Sequence, residues 1–280
     1  GVWFGRDRAV GLTATVDSTY AAGKGPGRRR ELVWVVWSWC VGLDGDILSH
    51  GDRPFAIMFH VKHRPSGFDS AVNDLAERLS QARVANLNPL QRHRLALLGE
   101  ALLDWALPAG LTGFSTLPDI ATKCFLDSLL ATPLLAEART ITDLGTGAGI
   151  PGLPLAIALP DTHFTLVDSR RKAISFVEYA VATLGLPNVT ALRARVGDTA
   201  IPLADAVLFR CAGPPAKVIP TALTALRPGG ILIAWVKTGF QLTPSSPAPT
   251  GLTEEAKTVD VSVSGYSRRL LVIRRAKGEH

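Results

Sequence analysis

Cysteine and methionine are scarce in this 280-residue sequence. The three cysteines, Cys40, Cys124 and Cys211, are odd in number and show no C-x-x-C spacing, which argues against a disulfide framework and a zinc site. Long hydrophobic runs are also missing. The apolar run at residues 32–43 is shorter than the ~20 residues of a membrane span, and no small-residue cleavage pattern follows it. We therefore expect a cytoplasmic protein with no membrane partner and no metal.

A strong charge of either sign is absent as well. The net charge is +6 at pH 7, the isoelectric point is near 9.5, and 19% of the residues are charged beside 47% hydrophobic ones. These values are ordinary for a globular enzyme, and the length suffices to bury the core of one large domain or two small ones. The mild basic excess leans towards a polyanionic partner, although most proteins of this charge are basic only for solubility.

Regular hydrophobic periodicity is missing from residues 1–57. This stretch holds four of the six tryptophans and a Gly-Lys-Gly-Pro-Gly linker, with no sustained helical or strand period. The only methionine, Met58, follows directly. We expect the working protein to begin at or near Met58 and residues 1–57 to be an extension or translated upstream sequence. A small accessory element is the alternative.

The pattern becomes regular after Met58. Apolar residues recur every three or four positions over residues 68–84 and 90–107, and a third helical stretch covers residues 120–130. We therefore predict that residues 58–135 form a helical N-terminal cap.

Residues 136–280 alternate short β-rich runs with helical segments, which predicts βαβ units and a mostly parallel sheet. After a loop at residues 243–251, two further β-rich runs predict a closing antiparallel pair. The fold class is thus α/β, a doubly wound Rossmann-like domain behind a helical cap. The predicted strands are residues 139–144, 163–168, 188–194, 205–209, 230–236, 256–265 and 268–276, and the predicted helices are residues 153–159, 171–184 and 215–226.

A glycine-rich loop, DLGTGAGIPG at residues 143–152, follows the first of these strands. Ligands of open α/β sheets bind beyond the carboxyl ends of the strands. Glycine is required where a Cβ would block close approach or a positive φ. Gly145, Gly147, Gly149 and Gly152, with Thr146 between them, therefore predict a nucleotide-type cofactor site.

Two acidic residues distinguish the candidate cofactors. Gly147-x-Gly149-x-x-Gly152 also satisfies the G-x-G-x-x-G pattern of NAD enzymes, with Asp168 about 20 residues further on. Asp143, however, is a poor neighbour for a pyrophosphate, whereas it can reach a cofactor ammonium or an ordered water. Asp168, followed by Ser169, is placed to accept both ribose hydroxyls. We predict S-adenosylmethionine and a class I methyltransferase fold, with NAD or an ordinary tight turn as alternatives.

From about Trp105 to the C-terminus the chain resembles the bacterial 16S rRNA guanine-N7 methyltransferases, the RsmG family, also called glucose-inhibited division protein B (GidB). The segment GAGIPGLPLAI at residues 147–157 is far more specific than a generic cofactor loop, and the other segments agree in order and spacing. The matching segments are residues 111–112, 125–130, 143–157, 164–169, Lys172, residues 186–189, Arg195 and residues 268–275.

The resemblance implies S-adenosylmethionine as cofactor and a guanine in the decoding region of the 30S subunit as target. Arg195 and Arg268 correspond to arginines that the family retains, and Arg210 lies just beyond a predicted strand, at the mouth where substrate would enter. We expect these three to orient the RNA or the cofactor carboxylate, with Arg195 and Arg210 also binding cofactor. We expect a monomer.

Six positions depart from the family pattern. The family usually has asparagines around Ala106 and Gly110 and a histidine at Cys124. Its Ser-Arg-Ala corresponds here to Phe209, Arg210 and Cys211, and its usual glutamate two residues after Arg195 is Gly197. Cofactor binding is expected to be intact and the target side altered.

The sequence contains no obvious general base, which suits methylation of guanine N7 because that atom carries a free lone pair and no proton. Alignment of the two reacting atoms alone can lower the activation barrier by ~7–11 kcal/mol. Residues 213–216, GPPA, lack the amide of enzymes that methylate exocyclic amines. Cys211 beside Arg210 suggests a cytosine-C5 nucleophile, although we expect a buried, inert cysteine. A cofactor-binding ribosome assembly factor without turnover and a small-molecule methyltransferase remain alternatives.

Overall fold

The computed structural model of the protein describes residues 11–17, 34–41, 55–59, 67–195, 197–198, 201–237, 240 and 253–277. The chain divides into two units, Gly1–Pro65 and Ser66–His280. The division falls a few residues after the boundary at residue 57 that we expect from the sequence.

Three strands pair in the N-terminal unit, namely β1 (Gly11–Asp17), β2 (Trp34–Val41) and β3 (Phe55–Phe59). They form an antiparallel sheet with β2 in the centre. This differs from the unpatterned stretch expected at residues 1–57. β2 is rich in valine and tryptophan, which favour strands even where apolar and polar residues do not alternate. Met58, the expected start of the working protein, lies within β3.

Helices open the C-terminal unit. They are α1 (Gly67–Gln81), α2 (Pro89–Ala101), a π-helical stretch (Leu102–Ala106), α3 (Leu117–Asp119), a second π-helical stretch (Ile120–Leu126), α4 (Asp127–Leu129) and a 3₁₀ turn (Thr132–Leu135). Asn88 caps α2 through a reciprocal pair of hydrogen bonds with Gln91, and Pro89 occupies the first helical position, where its missing N–H costs nothing. All three helical regions predicted before residue 136 are present.

Strands and helices then alternate, as predicted. The strands are β4 (Thr140–Leu144), β5 (His163–Asp168), β6 (Val189–Arg193), β7 (Ala204–Arg210), β8 (Leu226–Val236), β9 (Thr253–Val263) and β10 (Tyr266–Arg275). The helices between them are α5 (Gly152–Ala158), α6 (Arg171–Leu184) and α7 (Pro215–Thr224).

The sheet has the strand order β6-β5-β4-β7-β8-β10-β9. Strands β4 to β8 are parallel, and β10 pairs antiparallel with β8 and β9. The predicted doubly wound α/β fold with a closing antiparallel pair is therefore confirmed. The order reverses between β4 and β7, which is where ligands of such sheets bind.

Alternate residues of each strand pack against helices on opposite faces of the sheet. In β7, Ala206 and Leu208 join the cluster formed with the cap helices, α5 and α6, while Val207 and Phe209 join a second cluster with α7. Both faces are thus covered, as parallel sheets require. In the part of the chain that the structure describes, no helix combines the length and apolarity that crossing a membrane takes.

Candidate active site

The glycine loop turns sharply at the carboxyl end of β4. The N–H groups of Gly145 and Thr146 both donate to the carbonyl oxygen of Val167 in β5, at 2.8 and 2.9 Å. Gly145, Gly147 and Gly149 all have positive φ, between +60° and +75°. The loop is therefore tied to the neighbouring strand in a conformation that favours glycine.

The space around two of these glycines is closed. A Cβ on Gly145 would lie 2.7 Å from Cβ of Ala212, in the segment after β7, and a Cβ on Gly149 would lie 2.3 Å from Cδ1 of Leu153. At Gly147 the nearest atom to a Cβ is Nη2 of Arg170, at 3.6 Å. Gly145 and Gly149 thus serve close packing, while Gly147 faces the more open side of the loop.

Asp143 is fully buried beneath this loop. Its Oδ2 accepts hydrogen bonds from Oγ1 of Thr146, at 2.6 Å, and from the N–H of Gly152, at 3.1 Å, whereas its buried Oδ1 has no partner. Burial raises the pKa of Asp143 to about 6, against the opposing effect of these hydrogen bonds. A buried acceptor without a donor is a place for a cation, a water or an N–H group of a ligand.

Asp168 ends β5 beside the same loop. Its Oδ2 accepts from the N–H of Gly147 at 3.0 Å and from Nη2 of Arg170 at 2.9 Å, and its Oδ1 accepts from the N–H and Nε of Arg170. Burial opposes ionisation of Asp168, but the hydrogen bonds from Arg170 and Gly147 hold its pKa below the ordinary value. Arg170 therefore occupies the carboxylate that we predicted would accept ribose hydroxyls.

Ser169 and Arg195 lie at the same edge of the sheet and are exposed. The carbonyl oxygen of Ser169 accepts from Nε of Arg193 at 3.3 Å, and the N–H of Arg195 donates to Asp198 at 2.8 Å. Both contacts use backbone atoms of Ser169 and Arg195. The side chains, for which we predicted these two residues as site residues, take part in neither contact.

Two of the three predicted arginines share one carboxylate. Arg210 ends β7 and Arg268 lies in β10, and their Nη1 and Nε atoms lie 3.0 and 3.3 Å from the Asp127 carboxylate at the start of α4. The Asp127 side chain is 1% exposed, and those of Arg210 and Arg268 are 12% and 27% exposed. Asp127 lies in the matching segment at residues 125–130, but we did not predict a role for it from the sequence. A lone acid in the apolar run of residues 125–130 was the available signal, because buried charges are paired.

Two aromatic residues complete this cluster. The hydroxyl of Tyr266 donates to Oδ1 of Asp127 at 2.9 Å, and Nε1 of Trp235 donates to the Asp127 carbonyl oxygen at 3.0 Å. Burial, reinforced by the Asp127 charge, raises the pKa of Tyr266 to about 12, so this hydroxyl stays a donor at neutral pH.

Cys211 corrects an expectation from the sequence. We expected a buried cysteine after β7, but Cys211 is exposed. Its φ of +56° marks a sharp turn of the chain immediately after the strand. Cys124, by contrast, is buried, and burial raises the pKa of its thiol to about 12.

The departures from the family pattern fall into two environments. Ala106, Cys124 and Phe209 are buried in the core, whereas Gly110 and Gly197 have positive φ of +65° and +103°. The loss of the usual glutamate at Gly197 therefore goes with a backbone conformation that favours glycine. Gly197 also borders a cavity of about 290 Å³ that reaches Leu144 at the end of β4.

The loop amides are a poor nest for a pyrophosphate. The N–H groups of Gly147 and Gly152 donate to Asp168 and Asp143, and that of Gly149 donates to the Thr146 carbonyl oxygen. Dinucleotide sites need such groups free. The orphaned Oδ1 of Asp143 and the open side of Gly147 instead fit a cofactor with an ammonium group. The sheet order and this site define a class I S-adenosylmethionine-dependent methyltransferase.

Comparison with known proteins places the chain within that class. The family model described as GidB, rRNA small subunit methyltransferase G, matches residues 91–243, and the chain belongs to this family. A ribosomal RNA small subunit methyltransferase G of Anaeromyxobacter sp. is 39% identical over 173 residues, covering 60% of this chain and 79% of that protein. The Chlorobium luteolum protein of the same name is 36% identical over 166 residues, covering 59% and 70%.

Solved structures with a similar fold include the O-methyltransferase TomG from Streptomyces achromogenes, in complex with S-adenosylmethionine. It is 17% identical, covers 74% of this chain and 98% of that chain, and has a TM-score of 0.47.

Proposed function

We propose that the protein transfers a methyl group from S-adenosylmethionine to N7 of a guanine in 16S ribosomal RNA, in the decoding region of the 30S subunit. The observation that carries this proposal is the family match over residues 91–243, because it spans the glycine loop, both acidic residues and Arg210. A 30S substrate implies a cytoplasmic enzyme, and we propose that it acts as a monomer.

In this proposal the two acidic residues bind different groups of the cofactor. The unpartnered Oδ1 of Asp143 accepts from the cofactor ammonium, which suits a carboxyl group whose pKa of about 6 leaves it mostly ionised at neutral pH. Asp168 accepts from the ribose hydroxyls once the Arg170 side chain moves away. Thr146, Gly145, Gly147, Gly149 and Gly152 shape the cradle, with Ser169 at its rim.

The chemistry needs alignment and exclusion of water more than acid–base catalysis. When bound, S-adenosylmethionine supplies an electrophilic methyl group; the N7 lone pair forms the new bond, and sulfur keeps the electron pair of the broken one. No proton is removed, so no residue of this chain must act as a base. The task of the protein is to hold N7 in line with the methyl group. Such alignment can lower the activation barrier by ~7–11 kcal/mol.

Three arginines are proposed to orient the substrate at the rim. Arg210 and Arg268 are partly accessible at the ends of β7 and β10, and Arg195 is exposed after β6. Guanidinium groups are suited to phosphate and carboxylate because their fork matches two oxygen atoms. We propose that they hold the RNA backbone or the cofactor carboxylate.

A competition experiment tests the substrate class. The full chain receives radiolabelled S-adenosylmethionine together with 30S subunits, protein-free 16S rRNA and a pool of small-molecule acceptors. The proposal predicts label in the RNA of the 30S subunits. Label confined to small molecules would indicate a small-molecule methyltransferase. Cofactor binding without any label would indicate an assembly factor without turnover.

Exposure of Cys211 beside Arg210 keeps cytosine-C5 methylation as a second candidate, because that reaction needs a reachable nucleophilic cysteine. Cys211→Ser separates the two reactions. Guanine-N7 methylation gives the Cys211 thiol no role, so Cys211→Ser should keep its activity within about twofold of the wild type. A twofold change in rate corresponds to RT ln 2, which is less than the loss of one catalytic contact. Loss of all activity, with cofactor binding kept, would favour the covalent reaction.

A further inference from the structure

Asp127 joins four elements that are far apart in the sequence. From the start of α4 its carboxylate meets Arg210 of β7, Arg268 of β10 and the Tyr266 hydroxyl of β10, and its carbonyl oxygen meets Trp235 of β8. The residue is 0% exposed. These contacts come from three strands, so the position of Asp127 is strongly constrained.

Stability alone does not account for such a cluster. Removing two or three charges from water costs several kcal/mol per ion, and buried ion pairs can often be replaced by apolar residues without loss of stability. Nη1 of Arg210, Nε of Arg268 and Oδ2 of Asp127 are buried without a hydrogen bond, although the oppositely charged groups are in contact. The geometry of the ion pairs is therefore not optimised for mutual satisfaction.

The charges in the cluster do not balance. Two guanidinium groups face one carboxylate, and Tyr266 stays neutral because its pKa is raised to about 12. Within these ion-pair contacts one positive charge has no carboxylate of its own, and the side chains of Arg210 and Arg268 remain 12% and 27% exposed. An incoming anionic group would complete the pairing.

Arg210 connects this cluster to the cofactor loop. Burial raises the pKa of Asp143, and the charge of Arg210 opposes that rise, so the guanidinium acts on Asp143 as well as on Asp127. Two residues further on, Ala212 leaves no room for a Cβ on Gly145. A displacement of Arg210 would therefore alter the surroundings of Asp143 and Gly145 in the proposed cofactor site.

We propose that Asp127 is a positioning residue: it draws Arg210, supported by Arg268, to the rim of the cofactor site, where the unbalanced positive charge receives a phosphate of the target RNA. Asp127 acts through Arg210 and touches neither cofactor nor RNA. This inference rests on the proposed function, because the anion is taken to be a phosphate of the nucleic acid.

The test is a double-mutant cycle in the full chain with Asp127→Asn, Arg210→Met and both substitutions together, assayed on 30S subunits. Each single substitution is expected to lower kcat/KM for 30S subunits about tenfold or more, and Asp127→Asn is expected to leave the S-adenosylmethionine Kd within about twofold. Because Asp127 acts through Arg210, the double variant should match Arg210→Met within about twofold.

Effects that multiply in the double variant, or wild-type activity of Asp127→Asn, would overturn the proposal. If Asp127→Asn fails to fold because it leaves two unpaired cations, the double variant removes one of them. Comparison of the double variant with Arg210→Met then decides the same question.

A matched control is available at β10, the strand that carries Arg268. Arg269, the residue after Arg268 in β10, forms an ion pair with Asp260 at 2.6 Å. The Asp260 side chain is 57% exposed. Asp260→Asn removes the same charge at an exposed site, and we expect activity within about twofold of the wild type, as for surface pairs generally. An equal loss in both aspartate variants would mean that net charge, rather than position, is responsible.

A thiol readout separates this inference from the proposed function. Cys211 is exposed and follows Arg210 directly, so its alkylation rate by iodoacetamide, in a Cys40→Ser background, reports how firmly this segment is held. Asp127→Asn should raise the rate about fivefold or more, while Asp260→Asn should not change it. Wild-type protein that labels no rRNA would refute the proposed function, and an unchanged thiol rate would refute the positioning role independently.

Discussion

Two buried aspartates at the ends of neighbouring strands differ in their acid–base behaviour. Asp143 has a pKa raised to about 6 because burial outweighs its hydrogen bonds. Asp168 is also buried, but the Arg170 guanidinium and backbone N–H groups hold its pKa below the ordinary value. Around neutral pH only Asp143 is therefore close to titration.

Asp143 should make cofactor affinity and folding stability respond to pH in opposite directions. Below about pH 6 the carboxyl group is protonated and cannot pair with an ammonium, so affinity for S-adenosylmethionine should fall about tenfold between pH 8 and pH 5. Its folded pKa exceeds the ordinary 3.8, so its contribution to stability is present below about pH 4 and is lost as pH rises through 6.

Calorimetric titration from pH 5 to 8 measures this dependence, with Asp143→Asn as the comparison. The variant should bind more weakly at pH 8 and lose the pH dependence. A wild-type affinity that stays constant over this range would contradict the assigned role of Asp143.

Asp168 and Arg170 can be separated by a pair of substitutions. Asp168→Ala should weaken cofactor binding by ~1–3 kcal/mol, because the ribose hydroxyls lose their acceptor and Gly147 loses its partner. Arg170→Ala leaves the carboxylate in place and removes the group that now occupies it, so binding should be no weaker than in the wild type. Equal losses in the two variants, measured by calorimetry, would mean that Arg170 itself binds the cofactor.

At the scale of elements, the glycine loop links β4 to α5 through closely packed backbone. Gly149→Ala should cost more stability than Gly147→Ala, although both residues have positive φ. The strained φ alone costs ~1–2 kcal/mol, and at Gly149 the new Cβ also lies 2.3 Å from the fully buried Leu153. Thermal or denaturant unfolding of the two variants checks this order, which equal losses would contradict.

The regular elements were predictable because their periodicities are local. β5 and α6 have the same bounds as predicted, and β4 differs by one residue. The strands of the N-terminal unit were missed because a nearly continuous apolar run such as that of β2 lacks the alternation that identifies a strand.

The candidate site was predictable only in part. Asp143 and Asp168 lie at the ends of predicted strands, beside a loop with a recognisable glycine pattern. The pairing of Asp127 with Arg210 and Arg268 was not predictable, since it depends on how α4, β7 and β10 are brought together by the fold. The occupation of Asp168 by Arg170 depends on a side-chain conformation that spacing does not determine.

At the scale of the whole molecule, the carboxyl edge of the sheet gathers the features that the proposed function needs. The cofactor loop, Asp143 and Asp168 lie where β4 and β5 end, and Arg210 ends the neighbouring β7. The net charge of +6 is modest for a protein that binds naked RNA, and it suits a substrate whose phosphates are already partly covered by ribosomal proteins.

The most direct test of this account uses the full chain, radiolabelled S-adenosylmethionine and 30S subunits from cells that lack this methylation. After the reaction, the small-subunit RNA is digested to nucleosides and the labelled nucleoside is identified. The account predicts label in 7-methylguanine from this RNA. Label in another nucleoside, or no label from protein that binds the cofactor, would contradict it.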